Sequence, residues 1–191
     1  MQYSNASAWP QTAPLYKGNV FSNGILAGPK EASFLLGGYS DINDVNNTLS
    51  VIPFGTLMST LAATPDLYVI GQASGSYILS GIAVASEQEM QNEPFKSGGY
   101  LLGEGITVCT AGYVRYNTWQ KVNTPTPIDP VKGCAVVFNN TTGEISFTAQ
   151  ATTTTGVFVK LAQTQAVVMD VDPPGGLTGT GTSVLIHFTL Q

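Results

Sequence analysis

The chain has 191 residues, 43% hydrophobic and only 10% charged, with 7 Lys and Arg against 12 Asp and Glu for a net charge of −5, where an ordinary soluble domain carries about 25% charged residues. So few basic side chains exclude the counterion-releasing footprint of a nucleic-acid binder, and a skin so poor in charge must draw its polarity from Thr, Ser, Asn, Gln and Gly, which suits burial against other proteins. The start, Met1-Gln2-Tyr3-Ser4-Asn5-Ala6-Ser7, lacks the basic and apolar regions of an export signal and no apolar run reaches 18 residues, so a soluble chain with no membrane partner is expected.

The 21 Gly and 11 Pro punctuate short segments dense in Val, Ile, Thr, Phe and Tyr, the pattern of many short strands joined by turns. An all-β fold is expected, a small β-barrel or β-sandwich with little helix. Residues 1–30 stand apart, because Trp9, Pro10, Pro14, Tyr16, Phe21 and Pro29 fall without a period. They predict an extended N-terminal arm: either a partly ordered terminus, or one whose aromatics Trp9, Tyr16 and Phe21 dock on the chain's own domain or on a neighbour. Residues 31–191 then form one β domain, with a barrel-like core over about 50–140 and C-terminal strands over 144–191.

Within that domain Asp41, Asn43, Asp44, Asn46 and Asn47 make an oxygen-rich cluster. Val45 sits where a third alternate ligand would fall and no Gly or terminal Glu follows at EF-hand spacing, so a turn is expected there. Strands are predicted over 51–54, 67–70 and 77–85, then a short Ser-capped helix over 86–92 that Pro94 limits to about two turns. The next strand, 106–116, alternates Ile106, Val108 and Thr110 against Thr107, Cys109 and Ala111. At its end Tyr113, Tyr116 and Trp119 are aromatics suited either to a sugar-stacking face or to a barrel mouth or intersubunit seam. Cys109 and Cys134 each lie in an apolar run and match no disulfide framework, so buried free thiols are expected.

Further strands are predicted over 134–138, 144–148, 156–171 and 183–190, with the Thr-rich 152–155 and the Pro-, Gly- and Thr-rich 173–182 as exposed loops. Asp170 and Asp172 share a strand face, but Pro173-Pro174 end the strand at once and solvated carboxylates are expected rather than an acid–base pair. Val184, Ile186, Phe188 and Leu190 alternate with Leu185, His187 and Thr189, which puts the only histidine on the less apolar face. One histidine cannot build a multi-histidine zinc site. No Gly-x-Ser-x-Gly elbow and no phosphate-cradling Gly-x-x-x-x-Gly-Lys-Ser/Thr occurs. No catalytic residue, cofactor site or metal site is expected.

Two stretches carry a likeness. Ile52-Pro53-Phe54-Gly55-Thr56-Leu57 leads, after a loop, to Gly81-Ile82-Ala83-Val84-Ala85; Tyr100-Leu101-Leu102-Gly103-Glu104-Gly105-Ile106-Thr107-Val108 leads to Gly112-Tyr113-Val114-Arg115-Tyr116. In wording and order these resemble the head decoration or structural cement proteins of tailed bacteriophages, over roughly residues 50–140. The resemblance implies a small β-barrel protein made in the host cytoplasm and attached to the capsid exterior. Its partners would be the major capsid protein and further copies of itself, a trimer before a dimer, and it would carry over no catalytic residues. The rival reading is a carbohydrate-binding β module of a phage fibre or receptor-binding protein, with Trp119 central to the sugar face.

Overall fold

A computed structural model describes residues 25–26, 33–35, 38–43, 51–71, 75–84, 99–101, 103–116, 130–149, 157–172 and 183–190. Its strands are β1 (Ile25–Leu26), β2 (Ser33–Leu35), β3 (Tyr39–Ser40), β4 (Val51–Pro53), β5 (Leu57–Leu61), β6 (Thr64–Ile70) and β7 (Tyr77–Ala83). They continue as β8 (Gly99–Leu101), β9 (Val108–Tyr116), β10 (Ala135–Asn139), β11 (Ile145–Thr148), β12 (Phe158–Lys160), β13 (Ala166–Asp172) and β14 (Ser183–Thr189). No helix occurs among the described residues, and the segment 86–92 lies outside them.

Twelve strands form one sheet whose path runs β11-β10-β13-β14-β9-β7-β5-β6-β3, with β1 and β2 on β9 and β12 on β10. Every ladder is antiparallel except β3 with β6, as expected of strands joined by short turns. β9 is the spine. Cys109 pairs with both Ile82 and Phe34, and Arg115 with both Leu185 and Ile25, so both edges of the strand are occupied. The sheet rolls round until the β10–β11 turn meets β5: the Leu57 N–H donates to the Gly143 carbonyl at 2.9 Å, and the Gly71 N–H to the Leu57 carbonyl at 2.9 Å. No ladder among the described residues joins its edge strands, so of the two expected forms the fold is an open, sandwich-like sheet rather than a closed barrel.

Inside the roll lies the main core, with Leu57, Ile82, Cys109, Val114, Tyr116, Val136, Phe138, Phe147, Val168, Ile186 and Phe188 among its members. A second core lies against the opposite face of β5, β7 and β9, under the two-stranded ribbon β4–β8. It holds Ile52, Phe54, Met58, Tyr68, Ile70, Ala83, Tyr100, Ile106 and Val108. Chain neighbours therefore divide between the two: Leu57 from Met58, Ile82 from Ala83, and Cys109 from Val108. A strand buried on both faces loses its polar alternation, which is why Thr107, Cys109 and Ala111 do not form a solvated face.

β14 keeps the predicted alternation, with Val184, Ile186, Phe188 and Leu190 buried and His187 half-buried. Elsewhere the strand pattern differs from expectation: the short strands β1, β2, β3 and β8 and the strand β5 fall where none was predicted, β6 begins at Thr64 rather than 67, and 156–171 is divided. β5 escapes a hydrophobic reading because Ser59 and Thr60 sit in its middle, yet both are buried; the Thr60 hydroxyl pairs with that of Ser80 at 2.9 Å, which meets the cost of burying that pair. The run 156–171 is two strands, not one. Gln165 breaks it by accepting the Ala162 N–H on its side-chain oxygen at 3.0 Å while its own N–H donates to the Ala162 carbonyl at 2.8 Å, a turn built without Gly or Pro.

Candidate docking surfaces

The residues of the two likenesses divide between the cores: Ile52, Phe54, Ala83, Tyr100, Ile106 and Val108 build the second, while Leu57, Ile82, Val84, Val114 and Tyr116 belong to the main one. Tyr100 is fully buried; its hydroxyl donates to the Val84 carbonyl at 2.7 Å and accepts the Thr107 N–H at 3.2 Å. Its ring meets Phe54 edge to face at 5.2 Å, the arrangement that ring quadrupoles favour. Pro53 and Thr56 close the turn between β4 and β5 through the Thr56 hydroxyl, which donates to the Pro53 carbonyl at 2.7 Å. Gly55 takes φ 90° there, open to glycine alone at little cost, and its carbonyl accepts the Tyr116 hydroxyl at 2.7 Å. Gly81 lets β7 approach β9, since a Cβ there would stand 2.3 Å from the Cys109 carbonyl oxygen. These words of the sequence are thus packing instructions.

Of the aromatics expected at an interface, Tyr113 and Tyr116 lie on β9 and Trp9, Tyr16, Phe21 and Trp119 lie outside the described residues. Tyr116 is no surface residue: it is 2% exposed in the main core, because its odd spacing from Tyr113 puts the two on opposite faces of the strand. Tyr113 is half-buried on the outer face, directly across from His187 in the ladder with ring centroids 4.8 Å apart. That cross-strand pair accounts for the histidine as a packing residue. The end of the expected arm, Ile25–Leu26, pairs with β9 of its own chain.

Asp170 is exposed and its carboxylate accepts the Val171 N–H at 2.9 Å. Asp41 accepts the Asn43 N–H at 2.8 Å, so the expected turn is present, and residues 44–47 lie outside the described set. Both cysteines are buried and free; burial pushes the Cys109 thiol up to about 12, and the thiol donates to the Ala111 carbonyl at 3.2 Å. Such a thiol is inert at neutral pH.

What sequence reasoning missed is an apolar knob on the surface. Tyr39, Ile42 and Leu101 are 53%, 67% and 50% exposed and come together where β3 meets the turn after β8. Tyr39 bridges Gly105, the Ser40 N–H donates to the Glu104 carbonyl at 3.0 Å and the Ser40 hydroxyl to the Leu101 carbonyl at 3.1 Å. β3 has two residues, too few to show a period, and only the fold brings it to residues sixty positions along the chain.

The described residues define an all-β structural scaffold. The sequence model of the structural cement proteins of phages, described as "Structural cement protein (E217 gp24/Pam3 gp6)", matches residues 12–184, and the chain belongs to that family. It is therefore a virion-associated structural protein of a bacteriophage. The match takes in most of the arm and the strands through β13, well beyond the residues 50–140 that carried the likeness. A search of curated proteins found no match.

Proposed function

We propose that this chain binds the outside of an assembled phage capsid, contacts the major capsid protein and cements the shell. The observation that carries the reading is the family match over residues 12–184. The mechanism is mass action: a protein that binds the assembled, expanded shell and not its free subunits shifts the balance toward the shell, as any ligand of a native state does. Weak contacts repeated over many copies sum through multivalency. The chain works by attachment rather than turnover, and it engages neither nucleic acid nor membrane; with 7 basic residues in 191 it has little to offer a phosphate backbone.

Copies associate on the shell, which the low charge favours, and as a trimer before a dimer because decoration in the proteins this chain resembles often sits on local threefold positions. The free buried thiols suit a protein made in the reducing host cytoplasm. Intact virions purified through a density gradient test the location: the chain should be present in stoichiometric amount and open to an antibody before the particles are disrupted. Its absence from virions, or labelling only after disruption, would sink the proposal.

A further inference from the structure

We propose that the knob of Tyr39, Ile42 and Leu101 is the surface that seats on the shell, in a shallow apolar pocket of the capsid subunit bordered by lysine or arginine side chains. This rests on the reading of the chain as a cement protein. Exposed apolar residues scattered singly need no explanation, whereas several that the fold brings to one place, beside acidic side chains, mark an interaction site. Six large hydrophobic residues among those described are exposed, and three of them are these. The other three, Ile78, Val131 and Val157, fall in β7 and in two separate turns.

The knob is held rigid by backbone rather than by burial. Besides the bonds of Ser40 already given, the Asp41 N–H donates to the Tyr68 carbonyl at 2.8 Å. Gly103, at φ +78°, leaves room for Ile42, whose Cγ2 would stand 2.8 Å from a Cβ there. A surface fixed before binding loses little freedom on docking.

Charge identifies the occupant. Asp41 lies between Tyr39 and Ile42. Glu104 lies beside the knob, its carboxylate accepting the Leu101 N–H at 2.7 Å. Asp66 precedes Leu67, the ladder partner of Tyr39. The described cations sit elsewhere, Arg115 on β9, Lys132 in the turn before β10 and Lys160 on β12, and none of those strands pairs with β3 or β8. Two knobs facing each other across a twofold would set acids against acids, which disfavours a second copy as the occupant. A partner with an apolar centre and a basic border complements both features, and the acidic rim speeds its capture.

The test uses the full chain and shells of its parent phage assembled without it, with binding read by co-sedimentation. Ile42→Ser combined with Leu101→Ser should weaken shell binding about tenfold or more, the loss expected of a central anchor, with an unchanged melting temperature. Val131→Ser combined with Val157→Ser should leave binding within about twofold, as scattered surface contacts do. Asp66→Lys, at an exposed position on β6, should keep the melting temperature within a few degrees, weaken binding as well and flatten its dependence on salt. The proposal is overturned if the Ile42/Leu101 variant binds as tightly as the wild type, or if the Val131/Val157 variant loses as much; both results leave the cement reading standing. A variant that loses self-association while keeping shell binding makes a second copy the occupant and also overturns it. A wild-type chain that ignores the shells overturns proposal and reading together.

Discussion

At the scale of single residues, two tyrosine hydroxyls tie the second core to the rest of the molecule. Tyr116 reaches from the main core to the Gly55 carbonyl, and Tyr100 joins Val84 to Thr107. Tyr116→Phe should cost about 1–2 kcal/mol in urea unfolding, and Tyr100→Phe more, because the latter removes an acceptor from one backbone group and a donor from another. Burial also holds the Cys109 thiol and the Tyr116 phenol in their neutral forms, the thiol up to about 12 and the phenol well above its ordinary value. The unfolded chain releases these protons earlier, its thiol near about 8.5. Stability is therefore complete below that pH and declines as pH rises toward 12, the sign expected of an acid whose pKa folding raises. Urea midpoints measured from pH 8 to 10.5 should fall, and Cys109→Ala should reduce the slope; a flat profile contradicts the buried placement. Much of this was legible in the sequence: free buried thiols and a structural histidine followed from their apolar runs. The burial of Tyr116 did not, because a strand ending in two aromatics reads as a surface until its register is known.

At the scale of elements, the seam between the β10–β11 turn and β5 decides whether the sheet stays rolled. Gly143 has φ 67°, and a Cβ there would lie 2.6 Å from Thr56 Cγ2 and 2.8 Å from the Leu57 carbonyl oxygen; Gly133, at φ +83°, has nothing within 4 Å. Gly133→Ala should cost only the left-handed strain of about 1–2 kcal/mol. Gly143→Ala should cost clearly more, since it also pushes the seam apart, and equal losses in denaturant unfolding would contradict the seam. The arm belongs to this scale too. Ile25–Leu26 and Ser33–Leu35 add to β9, so a deletion confined to residues 2–20 spares those ladders. We expect it to leave the melting temperature within a few degrees while weakening attachment to shells or neighbouring copies, through loss of Trp9 and Tyr16. Unfolding of the deleted chain, or unchanged occupancy, would contradict a docking arm. Strand existence was legible wherever β-branched residues clustered. It was not legible where neighbouring strands supply the missing half, as for Thr60 with Ser80, or where a side chain such as Gln165 makes the turn.

At the scale of the whole molecule, family and all-β class were readable from short words such as Ile52-Pro53-Phe54-Gly55 and Tyr100-Leu101, and the fold shows why. Those residues build a core between a ribbon and the sheet, where a buried hydroxyl, an edge-on ring pair and close glycine approaches each demand one residue type. The surface was less readable, because an interface made of Tyr39, Ile42 and Leu101 exists only after β3 and β8 have been brought together. On the proposed function, this chain stabilises an assembled shell by binding it. Calorimetry of expanded shells lacking the chain, titrated with the purified protein, tests that directly. The shell's disruption temperature should rise with added protein and level off at a fixed ratio of chains to capsid subunits, whereas an unchanged disruption temperature at saturating protein would contradict the account.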